Sequence, residues 1–200
     1  MSRTTVDLYW LPLGAGGHFV RLNGRIYEFV KAAVEHRDRC RLYHAALMIR
    51  RDDRTTVIEV TPVRGSDGPA RGVVAGGPVG VRFLGRFSVF RYEVRAWPGG
   101  VIPDVVFAVD SPQRLTSDPQ VAEKMLNLVQ EVPTPVWGRD ELHTGDMWNS
   151  NSVVAWLIVR GGLDVDAVSL PERGRAPGWS AGVAVARRPT LTRPGTSGTA

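Results

Sequence analysis

The chain has a single cysteine, Cys40, only two lysines among 25 basic residues, and no apolar run near the ~18 residues that a membrane-spanning helix needs. One cysteine excludes an internal disulfide and any multi-cysteine zinc site. The opening MSRTTVDLYW lacks the apolar core of a signal peptide, so a cytoplasmic protein without a membrane span is the expectation. The histidines, His18, His36, His44 and His143, show no spacing that sets two on one helix face as ligands, and no metal or other cofactor is implied. Because lysine is scarce, arginine carries the positive charge, which nets +5 with a pI near 10.0. The arginines are interspersed with 20 acids, apart from a small cluster at Arg37, Arg39 and Arg41. That is the pattern of coding bias and a solvated surface. With no recognition helix and no aromatic-and-basic single-strand motif beside it, nucleic acid is not an expected partner.

Two hundred residues, 43% of them hydrophobic and 22% charged, can bury the core of one domain. Residues 1–188 are expected to form it. Residues 189–200 (PTLTRPGTSGTA) lack apolar periodicity and read as a disordered tail. Residues 64–78 are rich in glycine and proline and read as a flexible loop. The glycines of LPLGAGGHFV fail as a phosphate loop, since His18 and Phe19 follow Gly17, and Phe19 occupies the third glycine position of the dinucleotide fingerprint; a turn is the simpler meaning.

Strands are expected at residues 7–13, 42–49, 55–63, 90–96, 105–109 and 181–187. One helix should start near Ile26 after Asn23. A second should start after Asp118, with Pro119 at its first position, and stop at Pro133. A third, at residues 152–160 (SVVAWLIVR), is apolar on nearly every side and should be buried, with Gly161 and Gly162 ending it. Strands in a run with helices before and after predict an α+β domain, an antiparallel sheet packed with helices.

Three polar residues interrupt apolar stretches: His44 in LYHAALMI, Glu59 in TTVIEVTPV, and Ser150 in WNSNS. If Asp52 and Asp53 form a two-residue turn, Arg51 faces Arg54 and His44 opposes Thr61. Glu59 is then the diagonal neighbour of His44 on the same face, at about 7–8 Å between backbones. A carboxylate there would hold the imidazole tautomer and stabilise its cation, the orienting role in a nucleophile–base–acid set. Asn149, Ser150 and Asn151 are all helix-capping types. The N–H groups where that helix starts favour a nearby negative charge, so the cluster fits either a plain cap or an oxyanion site.

This order of parts resembles the circularly permuted papain-like superfamily, which includes NlpC-type amidases and lecithin–retinol acyltransferase-like proteins. There a strand histidine comes first, a polar residue on the next strand follows, and the nucleophile comes last, opening an apolar helix, often as Asn-Cys-Asn-Ser. In this chain the matching residues are His44, Glu59, and the box from Trp148 to Leu163. The resemblance implies a permuted papain-like arrangement with Ser150 as nucleophile, His44 as base and Glu59 as orienting acid. Asn149, Asn151 and Trp148 would support the site, and the substrate would be a peptide, glycan or acyl compound with an amide or ester bond. The departure is Ser150 where the family has cysteine. A thiol of pKa near 8.5 ionises readily at a helix N-terminus, whereas a serine hydroxyl needs a base in the act of attack. Two functions therefore stay open: a Ser-His-Glu hydrolase or acyltransferase, or a catalytically inactive module that binds a peptide, glycan or lipid headgroup.

Around the box, Trp137, Trp148, Trp156 and Trp179 suit either a cleft lining or, more simply, core. His143 and Asp146 stand close enough in sequence to approach the site, and Arg173 and Arg175 could meet an anionic group.

Overall fold

The computed structural model describes residues 4–13, 40–63, 72–102 and 104–189. Seven strands form one sheet: β1 (Thr4–Pro12), β2 (Arg41–Arg51), β3 (Arg54–Pro62), β4 (Val73–Pro78), β5 (Arg91–Pro98), β6 (Val109–Thr116) and the two-residue β7 (Gly174–Arg175). Their order is β4-β5-β3-β2-β1-β6, every neighbouring pair antiparallel, while β7 runs parallel to the start of β2. The described residues hold three α-helices: α1 (Pro119–Leu128), α2 (Ser150–Gly161) and α3 (Trp179–Ala186). The fold class is α+β, as the run of strands predicted.

Strands β1 and β2 each have a neighbour on both sides in the sheet and are buried almost continuously, which is what covering on both faces demands. On the helix face, Val6, Leu8 and Trp10 of β1 and Tyr43, Ala45, Leu47 and Ile49 of β2 pack in one core with Met125 of α1 and the buried side of α2. On the loop face, Tyr9, Leu11, Ala46, Met48 and Val57 pack with Ile102, Val105 and Ala108 from the connection between β5 and β6. Asp7, opposite Met48 and so on this loop face, is fully buried, with Arg50 and Arg114 both paired to its carboxylate.

Helix α2 is enclosed on nearly every side, with Val153, Val154, Ala155, Leu157 and Ile158 all at 0% exposure. Burying each of its larger apolar side chains contributes at most roughly 1.5–3 kcal/mol. Its end is set by Gly162 at φ 92°, where Leu163 N–H donates back to Ile158 O and Gly162 N–H to Val159 O, both at 3.0 Å. Helix α1 begins as its sequence predicted, with Asp118 accepting from Gln120 N–H at 2.8 Å and Pro119 in the first turn. Its α-helical part stops at Leu128 and a single 3-10 turn (Val129–Glu131) precedes Pro133.

Three expectations are corrected. Residues 181–187 do not form a strand but fall within α3 and just after it. Their alternation of small and branched residues imitates a strand, yet Gly182 lies so close to Ser152 O that a Cβ would collide, and that close approach to α2 outweighs local propensity. Residues 105–109 divide into a 3-10 turn (Val105–Phe107) and the start of β6. Residues 73–78, within the expected loop, form β4 beside β5. The helix expected from Ile26, the glycine turn near Gly17, residues 64–71 of the loop and residues 190–200 of the tail lie outside the described residues.

Candidate functional site

The hairpin of β2 and β3 has the register its sequence predicts: Arg51 faces Arg54 around Asp52 and Asp53, and pairing runs inward to Leu47 and Ile58. There it stops. Beyond that point β2 stays with β1, His44 opposite Leu11, while β3 stays with β5, Glu59 opposite Arg95 and Thr61 opposite Glu93. The sheet therefore forks, and the ladder does not reach His44 and Thr61 as expected. Parity survives the fork. His44 shares a face with Leu11, and Glu59 with Val57, so both side chains belong to the loop face.

The N-terminus of α2 fills the fork. Asn151 Oδ1 accepts from Ala45 N–H at 2.7 Å, and Asn151 Nδ2 donates to Tyr43 O at 3.0 Å and Pro177 O at 2.8 Å. One carboxamide thus satisfies the β2 backbone groups that β3 has left, and β7 takes over at Arg41 and Leu42. Asn149 is the N-cap: its Oδ1 accepts from Asn151 N–H at 2.9 Å and Ser152 N–H at 3.4 Å, while Ser152 Oγ accepts from Asn149 N–H at 3.0 Å. This is a reciprocal capping box. Ser152 Oγ also donates to Gly178 O at 2.7 Å, fastening α2 to the start of α3. Asp146 completes the joint, accepting from Gly178 N–H at 2.8 Å and Ser180 Oγ at 2.7 Å.

Ser150 is the first residue of α2, buried at 7% exposure. Of the two backbone N–H groups beside it that could hold an oxyanion, that of Asn151 is already engaged by Asn149 Oδ1. Among the described residues no hydrogen bond joins Ser150 Oγ to His44, or His44 to Glu59. Glu59, at 7% exposure, has its Oε1 4.0 Å from Arg95 Nη1, and Arg95 in turn donates to Glu93 Oε2 at 2.8 and 3.1 Å.

His44 is half-buried as a residue, and protein surrounds its ring closely enough that desolvation lowers its pKa from 6.5 to about 4. The negative charge of Asp104 opposes that fall. At neutral pH the imidazole is therefore uncharged, and burial makes it a weaker base than a free histidine. Asp104 itself is exposed, and no hydrogen bond or ion pair joins it to His44 among the described residues. What the sequence does not reveal is that Ile102 and Val105, within the stretch VIPDVVF, return to cover the loop face of the sheet.

The remaining candidates divide between core and surface. Trp148 and Trp156 are buried, Trp137 lies against Tyr92 at 5.1 Å, and Trp179 against Trp10 at 5.2 Å, so all four pack within the protein. Trp148 Nε1 and Thr61 Oγ1 are buried without a hydrogen-bond partner among the described residues. His143 is exposed with φ 52°, and the Arg173 side chain is 91% exposed. A groove of about 450 Å³ on α1, lined by residues such as Glu123, Lys124 and Asn127, includes none of the fork residues. Among the described residues no group of three or more His, Cys, Asp or Glu could hold a metal ion, and no helix is long and apolar enough to cross a membrane.

Comparison with protein-family models, with curated proteins and with solved structures finds no match to this chain.

Proposed function

We propose that the fork at the N-terminus of α2 is an acyl-transfer site of the permuted papain-like kind, acting on an amide or ester of a peptide, glycan or acyl compound. The observation that carries this reading is the plug at the fork. Asn151 binds the backbone of β2 on either side of His44, at Tyr43 O and Ala45 N–H, and so ties Ser150 to the strand that bears the histidine. A residue adjacent to such a plug is held to the strand by covalent geometry, independent of loop motion.

In this reading Ser150 Oγ attacks the substrate carbonyl as its proton passes to neutral His44. The tetrahedral oxyanion lies at the start of α2, where the helix dipole favours negative charge, with Ser150 N–H as its donor. Collapse expels the amine or alcohol, which takes the proton from His44, and leaves an acyl ester on Ser150. Water, or a second acceptor in an acyltransferase, attacks the ester carbonyl as its proton passes to His44, and collapse releases the acyl group while His44 returns that proton to Ser150 Oγ. A carboxylate on the loop face steadies the imidazolium formed between the two steps, the role expected of Glu59.

A second reading, a module that binds without chemistry, is favoured by the engaged Asn151 N–H and by the lack, among the described residues, of a hydrogen bond between Ser150 Oγ and His44. A fluorophosphonate probe separates the two. The acyl-transfer reading expects covalent labelling of the wild type that is lost in Ser150→Ala and falls at least about a hundredfold in His44→Ala, the usual contribution of a general base. Absence of labelling, or labelling equal in all three proteins, favours the binding module.

A further inference from the structure

The connection between β4 and β5 contains two 3-10 turns, Arg82–Arg86 and Ser88–Phe90. Its backbone is well fastened. Val79 N–H donates to Phe90 O at 2.8 Å, Gly80 N–H donates to Trp137 O at 3.1 Å, and Gly85 rests so closely on Pro78 that a Cβ would collide with it. The aromatic side chains nevertheless turn outward: Phe83, Phe87 and Phe90 are 62%, 47% and 40% exposed, and Val81 before them is exposed too. Single apolar residues are normal on a surface, but three phenylalanines within one short connection make a patch. The Arg86 guanidinium gathers two of the rings, lying 3.8 Å from the centre of Phe83 and 4.9 Å from that of Phe87.

The patch is also basic. Arg91 donates to Gly85 O at 3.3 Å and Arg139 to Gly80 O at 2.8 Å, so both are held to this connection by carbonyl groups, which leave the charge intact. The nearby acids are engaged, Glu141 by Arg82 at 2.9 Å and Asp140 by the N–H groups of Thr144 and Gly145. We propose that this connection docks the protein on a bilayer surface containing anionic phospholipid. Phe83 and Phe87 enter at the level of the headgroups, and Arg86, Arg91 and Arg139 meet the phosphates. Rings and guanidiniums side by side suit that boundary, where acyl chains lie directly beneath phosphate groups, and the planar guanidinium fork matches phosphate oxygens. The docking does not depend on the acyl-transfer reading, since none of its residues belongs to the fork.

The test is co-sedimentation of the full chain with phosphatidylcholine vesicles, with and without about 30% phosphatidylserine. The protein should sediment with the anionic vesicles alone, and less as salt rises. Partitioning should fall at least about tenfold in Phe83→Ser/Phe87→Ser and about fivefold in Arg86→Gln. Phe107→Ser, which removes an exposed ring beyond the other end of β5, should leave it unchanged. Thermal melts equal to wild type show that the exchanged rings lie outside the core, and Arg86→Gln, which removes no ring, reads the patch independently of that. Three results would overturn the proposal: no sedimentation of wild type with anionic vesicles, binding undiminished in both patch variants, or an equal loss in Phe107→Ser. A dimer in analytical ultracentrifugation that dissolves in Phe83→Ser/Phe87→Ser, without vesicle binding, would assign the patch to a second copy of the chain instead.

Discussion

At the residue scale, His44 is the group whose environment departs most from what a strand sequence implies. In the unfolded chain it titrates near 6.5, and in the folded protein near 4. Between these values the unfolded state binds more protons, so this contribution to stability is complete above pH 6.5 and is lost as pH falls toward 4. The full difference amounts to roughly 3 kcal/mol, and less to the extent that the half-buried residue is screened by water. Denaturant melts of wild type and His44→Gln at pH 7, 5.5 and 4.5 should diverge, the wild type losing more stability on acidification. Parallel losses would mean that the histidine is solvated. The polar interruption at His44 was visible in the sequence because an imidazole stands out in LYHAALMI. The burial that lowers its pKa was not, because Ile102 and Val105, which cover this face of the sheet, belong to a connection distant in sequence.

At the element scale, the hairpin was legible and its end was not. Asp52 and Asp53 set a two-residue turn, and once the turn is set the register follows. Nothing within either strand announces that β3 leaves β2 after Ile58, because the group that takes its place is the Asn151 carboxamide, about a hundred residues later. The sequence marks Asn151 only as one of several capping types, and its insertion into the sheet is a tertiary fact. Asn151→Ala should therefore cost far more than loss of a surface cap, since it leaves Ala45 N–H and Tyr43 O without partners in a buried fork. An expected loss of about 2–4 kcal/mol follows from two such groups, against about 1 kcal/mol for removing the cap at Asn149. Urea denaturation of the two variants checks the order; equal losses would show that water replaces Asn151 in the fork. Helix α3 shows the opposite failure of reading. Its residues imitate a strand, and the tight passage of Gly182 against Ser152 and the hold of Asp146 on Gly178 and Ser180 make it a helix.

At the scale of the whole molecule, one sheet separates two chemistries. The helix face carries the larger core and supplies α2, with Ser150 at its first turn. The loop face carries His44, Glu59 and the connection with Asp104. Across an intact sheet these groups could not meet. The fork between β2 and β3 interrupts the sheet beside His44, and the proposed acyl transfer requires Ser150 and His44 to act there as a unit. A serine that is catalytically silent would hide this, so the most direct measurement replaces it with a thiol. In a Cys40→Ser background, the rate of iodoacetamide alkylation of Ser150→Cys is followed from pH 5 to 10, with His44 and with His44→Ala. The expected result is an apparent thiol pKa below the ordinary value of about 8.5, held down by the helix N-terminus and by a hydrogen bond from neutral His44 to the thiolate, and moving back toward 8.5 when His44 is removed. A thiol that titrates near 8.5 with or without His44 would contradict it.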